Sequence, residues 1–313
     1  MKLTTITLNP ALDRTMYFDS AFLAGELNRA SSSMLSLGGK GINVSRVAKL
    51  MGHDTECISF CGGRNGEIMR AMLAEEGIPA RLFSTACESR MNLKMIDKNG
   101  GCTEANERGG PVTESEMKAL TDRLFDSFST DCAQVFALGG SIPQGVEKSV
   151  YKLLTTLLKS RGAYVILDCD GEALKHGLEG APHLIKPNLF ELSLLVGREL
   201  STTGDAVENA SRIYGETGTS VLCTLGGKGA LLACERGVCT VTSPQVPLRG
   251  FTGAGDTFLA SFVCATAEGK SIEDALAFAS STAAVKVTLP GTELPEREMM
   301  GKYLGEIETK WVR

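Results

Sequence analysis

Short apolar runs that end in glycine or a polar residue, each followed by a stretch of helical period, recur through much of this chain and leave few folds open to it. Gln134-Val135-Phe136-Ala137-Leu138 stops at Gly139-Gly140, and a helix-period stretch follows over about 147–160. Ala163-Tyr164-Val165-Ile166-Leu167-Asp168, His183-Leu184-Ile185-Lys186 and Ser220-Val221-Leu222-Cys223-Thr224-Leu225 repeat the theme. Strands alternating with helices imply parallel βαβ units in a doubly wound sheet. Ligands of such sheets sit beyond the carboxyl ends of the strands. Those ends carry Gly139-Gly140-Ser141, Asp168, Lys186-Pro187-Asn188 and Thr224-Leu225-Gly226-Gly227, so a polar site is expected there.

Two stretches break this rhythm. Residues of about 15–37 and 88–106 read as short strands with turns and no helix between them. Met91-Asn92-Leu93-Lys94-Met95-Ile96-Asp97 alternates apolar and polar residues, and Lys98-Asn99-Gly100-Gly101 supplies a hairpin turn. An antiparallel flap, apolar on one face, would form a lid on a single domain spanning 1–313.

The net charge of −5 argues against nucleic acid as a partner, because no basic surplus exists to neutralise a duplex. A leader's apolar core and a spanning apolar stretch are both missing, so the expected setting is cytoplasmic, with no membrane partner. The ten cysteines include no Cys-x-x-Cys pair, and His53, His176 and His183 stand at no ligand-like spacing from them. Small buried thiols in a reducing compartment are the simpler reading.

Four clusters can carry chemistry. In Gly253-Ala254-Gly255-Asp256, glycines opening a helix leave backbone N–H groups free at its positive end, an anion cradle. An aspartate there would repel phosphate unless it serves as the base for an attacking hydroxyl. Taken alone, the Gly-x-Gly-Asp pattern favours an Asp256 that does no more than complement the helix dipole, and the other motifs reverse that preference. Gly38-Gly39-Lys40-Gly41-Ile42-Asn43 is a glycine turn entering a helix, with Lys40 and Asn43 reaching one face, and it lacks the Walker A spacing. Lys186-Pro187-Asn188-Leu189-Phe190-Glu191 could orient water around Mg²⁺ through Asn188 and Glu191, or could form a capping box. Thr224-Leu225-Gly226-Gly227-Lys228-Gly229 reads as a hairpin or as a nucleotide-phosphate loop.

Together these residues resemble the phosphofructokinase B (PfkB) family of ribokinase-like sugar kinases. The resemblance runs from Asn9-Pro10-Ala11-Leu12-Asp13 to Lys286-Val287-Thr288-Leu289-Pro290-Gly291-Thr292 and keeps the family's motif order. It implies an α/β fold, a three-layer α/β/α Rossmann-like core with a small β-sheet lid that often clasps a second copy as a homodimer. It also implies ATP, Mg²⁺ and a sugar-phosphate acceptor. By resemblance Asp256 is the base, and Gly253, Ala254 and Gly255 form the anion hole. Asp13, Gly38, Gly39 and Asn43 would hold the acceptor, while Lys40 and Arg90, helped by Arg29, would contact its phosphate. Lys186, Asn188, Thr224, Gly226 and Gly229 would serve ATP, with Asn188 and Glu191 holding Mg²⁺ through water.

Gly25-Glu26-Leu27-Asn28-Arg29 and Arg90-Met91-Asn92-Leu93-Lys94 are similar to the branch that holds 1-phosphofructokinases and tagatose-6-phosphate kinases. Thr103-Glu104-Ala105-Asn106-Glu107 leans towards fructose 1-phosphate as acceptor, with tagatose 6-phosphate the alternative. One departure is Arg249-Gly250-Phe251, where the family commonly has Asp or Asn with a small hydroxyl residue; in some relatives that segment helps bind a monovalent cation. Two other classes share the sheet and the glycine turns. An NAD-type oxidoreductase would show a glycine fingerprint on the first strand, and none is present. A nucleotide sensor without turnover would have no use for an aspartate beside the phosphoryl group.

Overall fold

The computed structural model describes residues 1–128, 132–250 and 252–312. Two sheets are present, one of ten strands and one of four. Across the large sheet the order is Thr309–Val312, Gly237–Val241, Ala230–Cys234, Ser220–Thr224, Leu184–Ile185, Tyr164–Asp168, Gln134–Gly139, Lys2–Thr7, Asp54–Cys61 and Ala80–Ser84. Seven strands from Ser220–Thr224 to Ala80–Ser84 run parallel, and three antiparallel strands extend the other edge.

Burial on both faces explains why the strands read as unbroken apolar runs. Val165 and Leu167 pack among helices Val150–Lys159, Gly171–Leu178 and Thr203–Thr217. Ile166 points the other way, into a core shared with Lys40–Leu50, Ala254–Ala267 and Ile272–Val287. Period two in the sequence thus becomes two helical layers on one sheet.

Lys2–Thr7 pairs with Asp54–Cys61 on one side and with Gln134–Gly139 on the other, so the winding reverses there. A crevice opens at such a reversal, beyond the strand ends. Lys40 enters it directly: its Cβ lies 3.3 Å from where a Cβ on Gly139 would stand.

The small sheet has the order Ser32–Gly38, Ala11–Tyr17, Arg90–Ile96 and Cys102–Asn106. The hairpin turn after Ile96 forms as the sequence suggests, with the Gly101 N–H donating to Asp97 Oδ1 at 2.9 Å. The flap is not wholly antiparallel, however. Ala11–Tyr17 and Arg90–Ile96 run parallel, because the long excursion through the core returns the chain in the same direction. The sheet also starts earlier than position 15, which brings Asp13 into it. Among the described residues no helix is long and apolar enough to cross a membrane.

Candidate active site

Helix Ala254–Ala267 begins at Gly253, whose φ of 79° is left-handed backbone that glycine adopts without strain. The first intrahelical bond runs from Thr257 N–H to the Gly253 carbonyl at 2.8 Å. The amides of Ala254, Gly255 and Asp256 precede it and point out of the positive helix end. Asp256, only 7% exposed, accepts a hydrogen bond from Asn43 Nδ2 at 2.7 Å. Burial, reinforced by the charge of Asp168, pushes its carboxyl up to about 6, while Asn43, Lys40 and Lys186 pull the other way. A carboxylate so placed is ionised at neutral pH yet basic enough to take a proton.

Lys40, Asp168, Lys186 and Glu191 form a connected charge network. Lys40 Nζ lies 2.8 Å from Asp168 Oδ1 and 3.3 Å from Glu191 Oε1. Lys186 Nζ lies 3.1 Å from Asp168 Oδ2 and 3.3 Å from where a Cβ on Gly255 would stand. Burial alone would lower the Lys40 ammonium, but Asp168 and Glu191 outweigh it and hold the group above the ordinary lysine value. Burial would raise Asp168, yet Lys186 and Lys40 keep it below the ordinary carboxylate value. The lysine that the resemblance directs at the acceptor's phosphate therefore already has two carboxylate partners.

Asn188 and Glu191 form a capping box at the start of Leu189–Val196. Asn188 Oδ1 accepts from the Glu191 N–H at 2.9 Å, and Glu191 Oε2 accepts from the Asn188 N–H at 2.8 Å. The capping reading of this motif is thus realised, and it coexists with the bond from Lys40 to Glu191 Oε1. Among the described residues no three His, Cys, Asp or Glu side chains converge as a metal site.

On the lid side, Asp13 is 3% exposed and pairs with Lys94 Nζ at 2.6 Å and Asn92 Nδ2 at 2.9 Å. The parallel register sets this up, placing Asp13 opposite Asn92 and Thr15 opposite Lys94 on one face. Gly38 is required beside it, since a Cβ there would stand 2.5 Å from Asp13 Oδ1. Asn43 Oδ1, Asn92 Oδ1 and Thr15 Oγ1 are buried without a hydrogen-bond partner among the described residues. Each such atom costs about 1–3 kcal/mol unless water or a ligand meets it. Gly39, with φ of 114°, caps the helix that carries Lys40 and Asn43.

Arg90 is bound into the scaffold: Nε and Nη2 donate to the Asn9 carbonyl at 3.2 and 3.0 Å, and Nη1 to the Glu107 carbonyl at 3.2 Å. Burial lowers its guanidinium from the ordinary value. Arg29 is exposed in the loop before Ser32–Gly38 and away from these contacts. Asn92 and Lys94 are site-facing residues that motif reading gave no separate role, because their meaning comes from a partner strand 79 to 81 positions away.

Beyond the helix start lies a cavity of about 370 Å³. Asn188, Thr224, Gly226, Gly229, Ala254 and Gly255 line it, and Val246, Phe258, Ala283 and Val287 give it an apolar wall. Asn188 and Thr224 meet in a parallel bridge, which holds the glycine loop beside the cap. That loop is a hairpin turn between antiparallel strands, the first of its two readings, and its glycines also line the cavity. The 243–248 segment gave no sequence signal for this wall. Phe251, part of the departure at Arg249-Gly250-Phe251, lies outside the described residues.

A cavity with an apolar wall reaches the start of a helix, and a buried carboxylate, Asp256, stands in the first turn of that helix. The family model for pfkB family carbohydrate kinases matches residues 6–299. This chain belongs to the pfkB family. The 1-phosphofructokinase of Bacillus subtilis is 31% identical over 97% of this chain and 98% of its own length. The 1-phosphofructokinase of Escherichia coli strain K12 is 31% identical over 98% of this chain and 97% of its own. A crystal structure of phosphofructokinase-2 from Escherichia coli in complex with potassium superposes with a TM-score of 0.90, at 27% identity over 97% of this chain and 98% of that one. The protein is therefore a sugar phosphotransferase with the ribokinase-like α/β architecture of that family, and kinases of the family take ATP as substrate.

Proposed function

We propose that this pfkB kinase transfers the terminal phosphoryl group of ATP to the free primary hydroxyl of fructose 1-phosphate, giving fructose 1,6-bisphosphate. The observation that carries the reading is Asp256, an ionised base held at the amide-rich start of a helix. The acceptor choice rests on full-length similarity to proteins named 1-phosphofructokinase. Lys94 and Arg90 add cationic groups on the lid side, where an acceptor carrying its own phosphate would need them.

In this reading the nucleotide's base occupies the apolar cavity and its phosphates run to the helix start. Asp256 accepts the proton of the attacking hydroxyl as the phosphoryl group moves in line. The amides of Ala254, Gly255 and Asp256, with Lys186 beside Gly255, neutralise the charge that develops. Asn43 and Asn92 orient the acceptor's hydroxyls through the side-chain oxygens they leave free, beside the carboxylate of Asp13, which Asn92 and Lys94 hold in place. Asn188 and Glu191, paired in the capping box, are the residues that would hold Mg²⁺ through water. When bound, it would withdraw charge from the phosphate oxygens. The small sheet acts as a lid that excludes water. Its exposed edge strand Cys102–Asn106 offers unpaired backbone to a second copy. A chain that uses ATP and carries ten free cysteines suits the cytoplasm.

The test is ADP release from MgATP with fructose 1-phosphate, tagatose 6-phosphate, fructose 6-phosphate and ribose compared side by side. The expected result is a kcat/KM highest for fructose 1-phosphate. Preference for tagatose 6-phosphate would replace the acceptor and keep the mechanism, whereas turnover of none would overturn the assignment.

A further inference from the structure

Lys286, in the last turn of helix Ile272–Val287, is 1% exposed. Its ammonium donates to the Gly291 carbonyl at 2.8 Å, and among the described residues no carboxylate lies within 4.0 Å of it. Four charged groups face it from the packed elements: Arg46 from helix Lys40–Leu50, Lys94 from the small sheet, Glu293 from the loop beyond the helix, and Asp256. Two of these are already matched, Arg46 with Glu76 at 2.7 Å and Lys94 with Asp13 at 2.6 Å. A buried ammonium without a close counter-charge is expensive, so its placement requires a reason.

The reason lies at Gly253. Lys286 Cε and Asn43 Nδ2 each stand 3.7 Å from where a Cβ on Gly253 would be, so the lysine stem and the amide flank the turn that opens the catalytic helix. The carbonyl that takes the ammonium belongs to the turn at 289–292. That turn packs against Gly250, where a Cβ would stand 2.8 Å from the Leu289 carbonyl oxygen. The N–H groups of Arg249 and Gly250 donate in addition to the Val287 carbonyl. One side chain thus joins the helix end, the 289–292 turn and the anion hole.

We infer that Lys286 is a positioning residue that acts as a tethered cation: its ammonium locks the 289–292 turn against Gly253 and lends positive charge to the site where the phosphoryl group passes. The inference rests on the kinase reading above. Burial, with Arg46 and Lys94 adding to it and Glu293 and Asp256 opposing, brings the ammonium down to about 8. Its charge is therefore lost as pH rises through that value, which predicts an alkaline limb on kcat.

The experiment compares wild type, Lys286→Met and Lys286→Arg at saturating ATP and acceptor. Lys286→Met is expected to lose about tenfold to a hundredfold in kcat with less change in either KM, and to regain part of it with added ammonium, methylammonium or potassium ions. Wild type is expected to respond to none of these ions. Turnover of Lys286→Met within twofold of wild type overturns the inference, as does a folded variant that no cation restores. Should Lys286→Met fail to fold, the pH profiles decide. Wild type should lose kcat near pH 8 while Lys286→Arg holds it to higher pH, and coincident profiles would overturn the idea. Wild-type turnover itself tests the kinase reading, so failure of one is separable from failure of the other.

Discussion

At the scale of single residues, the account turns on what burial does to a few charged groups. Asp256 has its carboxyl raised from 3.8 to about 6 in the folded protein. The folded state therefore holds that proton more tightly than the unfolded chain does. The stability this confers is complete below the unfolded value and is lost as pH rises through about 6. At pH 8 the wild type carries a buried ionised carboxylate that Asp256→Asn would remove, while the contact with Asn43 can persist. The variant should melt at or above the wild-type temperature at pH 8, and a melting point several degrees lower would contradict this sign. Gly38→Ala should raise KM for the acceptor and leave KM for ATP unchanged, because the new methyl group displaces Asp13 and nothing in the nucleotide cavity. Equal changes in both would show that the damage spreads. Asp256 and Asn43 were legible as chemistry because each follows a glycine turn at the start of a helix. Lys94 and Lys286 were not, since a lysine in a strand or in a helix's last turn reads as solvent-facing until its neighbours are known. Lys40 was legible as a site residue, but its two carboxylate partners come from positions 128 and 151 residues away.

Elements set the directions in which these groups point. The capping box at Asn188 fixes where Leu189–Val196 begins, and with it the carboxylate that meets Lys40. Asn188→Ala should cost about 1 kcal/mol, seen as a melting point lower by about 2 °C, with an added rise in KM for MgATP. An unchanged KM would leave the residue a cap and nothing more. The parallel strands were readable to within a few residues, since burial on both faces writes them as apolar runs. The helix expected over 147–160 forms as Val150–Lys159, with its apolar face on the sheet. Less was legible in the small sheet. Its 98–101 turn is local and was readable, but the parallel pairing of Ala11–Tyr17 with Arg90–Ile96 depends on how the chain returns from the core. No short-range pattern encodes that return.

For the whole molecule, the two sheets divide the work. In the proposed reading the large sheet presents the base, the anion hole and the nucleotide slot at the ends of its strands, and the small sheet brings Asp13, Asn92 and Lys94 to the same region. If the small sheet is a lid, amide exchange in Ala11–Tyr17, Ser32–Gly38 and Arg90–Ile96 should slow when acceptor and nucleotide bind together, while the core strands stay unchanged. Uniform slowing would point to global stabilisation instead of closure. The central claim, that Asp256 drives phosphoryl transfer to a sugar phosphate, is tested most directly with ATP labelled in its terminal phosphate. Wild type and Asp256→Asn are each incubated with fructose 1-phosphate, with ATP binding measured in parallel. Wild type should pass the label into fructose 1,6-bisphosphate. Asp256→Asn should bind ATP within about twofold of wild type and transfer label about a hundredfold or more slower. Transfer by the variant at near the wild-type rate, or no label on the sugar with wild type, would contradict the account.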